Sequence, residues 1–151
     1  MKKKIAITII IGIIISVAIY RIQEPVLHGD DFTSVMFTVI DYDGSKRAVS
    51  YSVTDKQLIY EICALLNEQE KTTTFNKIVG APDWEIHLNF YAGMIEKYSI
   101  SITSSRIEYK GTIMRKSFVY DNIEKLKSDL TEIGRCSNEK RNKEISIKFY
   151  I

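Results

Sequence analysis

The sequence contains little of the material from which enzymes and metal proteins build their sites. It has two histidines and two cysteines in 151 residues, and neither His28 nor His87 has a cysteine or a second histidine at metal-ligand spacing. The seven glycines are dispersed and form no phosphate-binding loop, and no serine lies in a nucleophile elbow. We therefore expect no metal and no cofactor, and we predict that the chain is not an enzyme.

The two cysteines do not define a site either. Cys63 lies near the apolar stripe of a predicted helix, which favours a buried small hydrophobic residue. Cys136 follows a second predicted helix. An oxidising compartment would permit a disulfide between them, so the sequence leaves the free and the paired states open.

Excess positive charge is confined to the N-terminus. The chain has 21 Lys and Arg residues against 19 Asp and Glu. Lys2, Lys3, Lys4 and Arg21 flank an apolar segment, which leaves 17 basic against 19 acidic residues in the rest of the chain. A domain of that balance lacks the clustered cations that bind phosphate backbones, so we expect no nucleic-acid partner.

One long stretch without charge begins at Ile5 and ends at Tyr20, and nine of its 16 residues are isoleucine. Each isoleucine near the middle of a bilayer favours insertion by about 0.3–0.6 kcal/mol. The stretch reaches about 24 Å as a helix, and Lys4 and Arg21 can extend to the interfaces of a roughly 30 Å hydrocarbon core. The membrane is therefore a predicted partner, through an uncleaved transmembrane signal-anchor. A signal peptide cleaved near Ala18 is the alternative, and the protein would then be secreted.

The lysines that precede this stretch also predict its orientation. Positive residues favour the cytoplasmic side, so the N-terminus should lie inside and the rest of the chain should be extracytoplasmic. No cysteine directly follows the apolar run, so the usual lipid attachment of bacterial lipoproteins is excluded.

The body of the chain shows the period-two alternation of half-buried strands. Asp43 and Gly44 predict a hairpin turn between the first two strands, because glycine tolerates the positive φ of such a turn. The predicted strands are residues 35–39, 49–53, 72–79, 84–91, 98–103, 107–109 and 113–120, with a final strand at 143–151 as a further possibility.

Two helices are predicted from capping boxes followed by apolar stripes. Thr54 and Gln57 open the first helix. Asp121 and Glu124 open the second, and Gly134 is a natural C-terminal stop for it. The fold class is thus α+β, a mainly antiparallel sheet of about six or seven strands with two helices on one face, preceded by an N-terminal hydrophobic helix.

The expected domain organisation follows from these elements. Residues 1–22 form the anchor or signal segment, residues 23–31 a linker, and residues 32–151 the extracytoplasmic domain.

Burial of the apolar strand residues turns a polar set to the opposite face of the sheet. A broad face of this kind is typical of a solvated surface, but it can also dock a partner, with Tyr91 as an aromatic anchor. The candidate partner-binding residues are Glu85, His87, Asn89, Tyr91, Ser99 and Ser101.

The pattern of residues 50–134 resembles small uncharacterised extracytoplasmic domains, membrane-anchored or lipidated, of spore-forming Gram-positive bacteria. The chain differs from the lipidated members in lacking their lipid-bearing cysteine. The resemblance implies location and fold, and it implies no catalytic residue. The segments that carry it are residues 53–55, the first helix, residues 82–88, residues 98–102 and the helix with Leu126 and Leu130.

Four functions remain after these exclusions. We expect a non-enzymatic protein-binding or accessory module at the cell envelope, which binds another envelope protein through the sheet face or a strand edge. An immunity or inhibitor protein against a toxin or hydrolase is an alternative. An envelope enzyme of unfamiliar type, using His87 with Glu85 or a nearby serine, is another, and it requires a concave pocket at His87. A sensor of a small ligand or of the cell wall is the last, and it requires an apolar cleft between the helices and the sheet.

Overall fold

The computed structural model describes the chain in separate stretches of the N-terminal segment and the α+β domain. The described residues are 7–15, 26–42, 47–68, 71–73, 81–111, 115–120 and 122–148.

In the N-terminal segment, residues 7–15 are helical and their side chains are exposed. No helix in the described part of the chain combines the length and the apolarity needed to cross a membrane. The transmembrane anchor therefore stays a prediction from the sequence.

The described strands form a single antiparallel sheet, which agrees with the predicted α+β class. The strands are β1 (Ser34–Asp41), β2 (Arg47–Val53), β3 (Lys71–Thr73), β4 (Trp84–Ala92), β5 (Ile95–Thr103), β6 (Arg106–Gly111) and β7 (Arg115–Tyr120). Their order across the sheet is β2-β1-β4-β5-β6-β7-β3, so β2 and β3 are the two edge strands. The predicted hairpin turn at 43–44 and most of the predicted strand 72–79 lie outside the described residues.

The alternation in β1, β4 and β5 places every second side chain in one core. Phe37 is opposite Leu88, and Leu88 is opposite Ile100, so that one apolar row runs across three strands. All three of these side chains are buried. We call this the inner face, and two helices pack on it, α1 (Lys56–Asn67) and α2 (Ile123–Lys148).

Helix α1 begins one residue later than the capping box predicts. The N-cap is Asp55 rather than Thr54, and its carboxylate accepts a hydrogen bond from the amide of Leu58 at 3.2 Å. The same carboxylate accepts a hydrogen bond from Lys140 of α2 at 2.8 Å. The hydrogen bond from Lys140 lowers the pKa of the Asp55 carboxyl group most, and the hydrogen bond from Leu58 lowers it further. Asp55 therefore caps one helix and ties it to the other.

Helix α2 corrects two expectations for the C-terminal part of the chain. It runs from Ile123 to Lys148 without ending at Gly134, and it occupies residues that alternation assigned to a final strand. Gly134 is buried, and a Cβ built on it would lie 2.6 Å from Cδ1 of Tyr51 and 2.9 Å from Cζ of Phe37. This glycine therefore serves close packing of the helix on the sheet. Asp121 lies outside the described residues, and Glu124 accepts a hydrogen bond from the indole of Trp84 at 2.7 Å.

Part of the stretch predicted as a linker packs into the domain. Leu27 of this stretch is 2% exposed, and Phe32, the first residue of the predicted domain, is 1% exposed. The side chain of Asn67 on α1 accepts from the backbone amide of Leu27 at 3.0 Å and donates to its carbonyl at 2.8 Å. Lys56 donates to the carbonyls of Gly29 and Phe32 at 2.9 and 3.3 Å. Residues 26–33 are thus strapped across α1, and we call them the N-terminal strap.

Both cysteines are free. Cys63 is buried in α1, as the sequence predicts, and Cys136 is exposed on α2. Burial raises the pKa of the Cys63 thiol to about 11, so this sulfur is a neutral packing group.

Candidate functional site

The face of the sheet opposite the helices, the outer face, carries the predicted partner-binding residues. On β4 and β5, His87 lies directly opposite Ser101, and Asn89 lies directly opposite Ser99. Glu85 is one step further along β4 on the same face. The structure therefore brings five of the six residues into one patch.

Tyr91, the sixth residue, lies where the register between β4 and β5 shifts. A bulge separates Phe90 from Tyr91, and the backbone carbonyl of Tyr91 accepts hydrogen bonds from the amide and hydroxyl of Thr33 at 2.7 and 3.1 Å. Its side chain is half-buried. Tyr91 therefore helps to join the N-terminal strap to the sheet, in addition to lying at the end of the patch.

Glu85 is the centre of the hydrogen bonds on the outer face. Its Oε1 accepts from the hydroxyl of Ser101 at 2.9 Å and lies 3.3 Å from Nε2 of His87. Its Oε2 accepts from the hydroxyl of Tyr42 at 3.1 Å, and this hydrogen bond raises the pKa of Tyr42. Both carboxylate oxygens are thus engaged, which holds three neighbouring side chains in place.

This arrangement differs from that of an activated serine. In a catalytic triad the imidazole lies between the hydroxyl and the carboxylate, so that it can take the hydroxyl proton. Here the carboxylate lies between Ser101 and His87, and the Ser101 hydroxyl donates to Glu85. Ser101 is also only 7% exposed. The geometry therefore orders the patch and does not prepare Ser101 as a nucleophile.

A groove of about 380 Å³ is lined by residues of β2, β1 and β4 and by two residues from the C-terminal half of α2. We call it the α2 groove. His87 and Asn89 of the predicted set line it, so the outer face is concave at His87 rather than flat. The remaining lining residues are Met36, Phe37, Thr38, Ser50, Tyr51, Ser52, Asn138 and Arg141.

Two residues of the groove, Asn138 and Arg141, were missed because the sequence analysis ended the second helix at Gly134. The sequence does contain a sign of the longer helix. Leu130, Ile133 and Ser137 are three and four residues apart, the spacing of one helix face, and all three are buried although Ser137 is polar. Ser137 is 8% exposed, and its hydroxyl donates to the carbonyl of Ser52 on β2 at 3.0 Å. That hydrogen bond fixes α2 beside the strand and so forms one wall of the groove.

The chemistry of the groove is that of a polar, cation-bearing surface. None of the described residues that line it carries a carboxylate. Within the described chain, the side chains of Arg141, Asn89 and Asn138 have no hydrogen-bond or ion-pair partner. The hydroxyls of Thr38 and Ser50 bond to each other at 2.9 Å. The groove thus offers one guanidinium and two amides to a ligand with carboxylate or carbonyl oxygens.

Metal binding has no support in the described residues. Among them, no three His, Cys, Asp or Glu side chains lie close enough together to hold an ion. Two glutamates of the outer face are engaged by other side chains, Glu85 as above and Glu108 by Arg106 at 2.9 Å.

Comparison with known proteins adds no family to this picture. No protein-family model matches the chain, no characterised protein is detectably similar in sequence, and no solved structure is detectably similar in fold.

Proposed function

We propose that the chain is a non-enzymatic protein-binding or accessory module of the cell envelope, which binds a partner protein in the α2 groove. The observation that carries this proposal is the grouping of three side chains along one concave surface, those of Arg141, Asn89 and Asn138, which have no partners in the described chain. Polar groups at an open groove give up few internal contacts when a partner arrives, so their hydrogen bonds to that partner add to affinity.

The geometry at His87 supports binding over the enzyme alternative. That alternative needs a concave pocket at His87, and the α2 groove supplies one. However, the hydroxyl of Ser101 donates a hydrogen bond to Glu85 and not to the imidazole of His87. This arrangement leaves Ser101 unactivated, whereas the polar side chains of the groove are suited to recognition of a ligand.

Charge reversal at Arg141 is expected to reduce partner capture strongly. A photoreactive amino acid in place of Met36, which lines the groove and is 49% exposed, should give one dominant adduct in native cells. Arg141→Glu should lower its yield at least about tenfold, because arginine at a desolvated contact commonly contributes more than 1.4 kcal/mol. The measurement is the intensity of the adduct band after illumination and purification.

The same helix offers matched controls for this experiment. Arg135 is exposed on α2 but borders a different hollow, with Glu124 and Lys127, so Arg135→Glu should leave the adduct unchanged. A photoreactive residue at the exposed position of Ser128 should give no dominant adduct. Equal loss with both charge reversals, or no discrete adduct at position 36, would contradict binding in the groove.

We also propose that the domain lies outside the cytoplasm, held by the predicted anchor. The support is the asymmetry of charge around the apolar segment, with Lys2, Lys3 and Lys4 on one side and Arg21 on the other.

Exposed Cys136 supplies a direct test of this location. A membrane-impermeant maleimide should label Cys136 in intact cells, and the Cys136→Ser variant should not be labelled, since Cys63 is buried. The measurement is the mass of the purified protein after labelling. Labelling that requires prior cell lysis would place the domain inside and would contradict the envelope role.

A further inference from the structure

We infer that the partner docks on this chain as an extended, acidic segment that adds a strand to the open edge of β2, beside the α2 groove. The inference rests on the proposed function and specifies how the partner binds. It follows from the direction of the β2 backbone groups, from their exposure and from the charges around them.

The direction of the backbone groups follows from two hydrogen bonds at different places in the sheet. In β1, the even-numbered residues direct their backbone N–H and C=O groups towards β4. The amide of Tyr42, directly after β1, shows this direction by donating to the carbonyl of Asp83, directly before β4, at 2.9 Å. The β2 residues opposite even-numbered β1 residues therefore direct their backbone groups away from the sheet. Ser52 confirms this, because its carbonyl accepts from Ser137 of α2. By the same alternation, Ala48 and Ser50 point their N–H and C=O groups to the open edge.

This edge is covered at one end only. Ser137 satisfies the carbonyl of Ser52, whereas residues 47–50 are exposed. No described backbone group outside β1 pairs with Ala48 or Ser50. An exposed strand edge is a template for another strand, and proteins that do not use such an edge usually shorten, twist or cover it.

The positive charges near the β2 edge favour an acidic segment as the added strand. Arg47 begins β2 and Arg141 lies in the groove beside it, and neither has an ion-pair partner in the described chain. With no carboxylate among the described groove residues, an extended segment carrying Asp or Glu would gain contacts with both arginines. A second copy of this chain would instead bring the same arginine-bearing edge against its own, so like charges oppose self-association.

Peptides selected from a phage-displayed dodecapeptide library, panned on the full chain in detergent micelles, are the probe. We expect acidic sequences to be enriched, and we expect the peptide to slow amide hydrogen exchange at Ala48 and Ser50 in the unaltered chain. Ala48→Pro should weaken binding at least about tenfold, because proline removes the outward donor without removing a β1–β2 hydrogen bond. Ala48→Val, which keeps that donor, should bind within about twofold of the original chain.

The outcomes separate this inference from the proposed function. If Ala48→Pro binds normally and exchange at the edge is unchanged while Arg141→Glu loses binding, the groove binds its partner but strand addition is refuted. If neither variant loses binding, the inference and the proposed function both fail. Enrichment of basic or uncharged peptides would refute the inference that the bound segment is acidic. If Ala48→Pro does not fold, amide hydrogen exchange at Ala48 and Ser50 in the unaltered chain tests strand addition instead: slower exchange with peptide supports it, and unchanged exchange refutes it.

Discussion

Gly134→Ala is expected to destabilise the domain by about 1–3 kcal/mol, the usual cost of overpacking a core. In an ordinary helix interior the same change stabilises by about 0.5–1 kcal/mol, because alanine loses less conformational entropy. Here the added Cβ would lie 2.6 Å from the ring of Tyr51 and 2.9 Å from that of Phe37. Those rings pack on each other with centroids 4.9 Å apart, so neither can move without disturbing the other. The sign of the effect is therefore the opposite of what helix propensity predicts.

Urea denaturation followed by the fluorescence of Trp84 measures this effect. Trp84 is the single tryptophan of the chain and is 3% exposed, so its emission reports loss of the core. Ser128→Ala, at an exposed position of the same helix, is the control and should stay within about 0.5 kcal/mol of the original stability. In a Tyr51→Leu background the cost of Gly134→Ala should shrink, with a coupling of about 0.5–3 kcal/mol. A stabilising Gly134→Ala would contradict the close approach.

The strands were predictable because their signal is local. In β4, Trp84, Ile86 and Leu88 alternate with polar residues, and all three are buried in the structure. Period-two alternation of this kind depends only on the pleat of a single strand. The same alternation predicts that Glu85, His87 and Asn89 lie on the opposite face, without any information about the neighbouring strands.

The C-terminal part of the chain was not predictable in this way. Residues 143–151 also alternate, yet the structure continues α2 to Lys148. A few alternating residues cannot outweigh a helix that is already formed, since each further residue adds a hydrogen bond at little cost. The predicted helix end at Gly134 is wrong for a related reason. Glycine ends helices, but it also lets a helix approach a sheet closely, and only the positions of Tyr51 and Phe37 distinguish the two uses.

The candidate site could be predicted only in part, because local patterns place its strand residues but not its helix residues. The sheet residues His87 and Asn89 follow from alternation, whereas Asn138 and Arg141 reach the groove only because α2 is long. The concavity that turns a polar face into a candidate site is thus a property of how two distant parts of the chain pack. No local pattern encodes it.

Phe32→Ala is expected to cost about 3–5 kcal/mol, the range for deleting a fully buried aromatic ring. Phe32 is 1% exposed, and its ring contacts those of Phe90 and Tyr98 at centroid distances of 4.9 and 6.0 Å. The residue lies in the N-terminal strap, so its removal should also free the backbone that Lys56 holds. At about 4 °C per kcal/mol, such a loss lowers the melting temperature by more than 10 °C.

The matched control for this prediction is Phe32→Leu, which keeps most of the buried volume and should cost less than about 1.5 kcal/mol. Limited proteolysis supplies a second readout, because Phe32→Ala should expose the bond on either side of Leu27 before the core unfolds. If Phe32→Ala instead changes stability by less than about 0.5 kcal/mol, the strap is a peripheral attachment. The domain would then begin at β1, two residues after the boundary at residue 32 that the sequence predicts. A large loss would show that the fold includes the N-terminal strap, whose Leu27 and Phe32 are buried in the core.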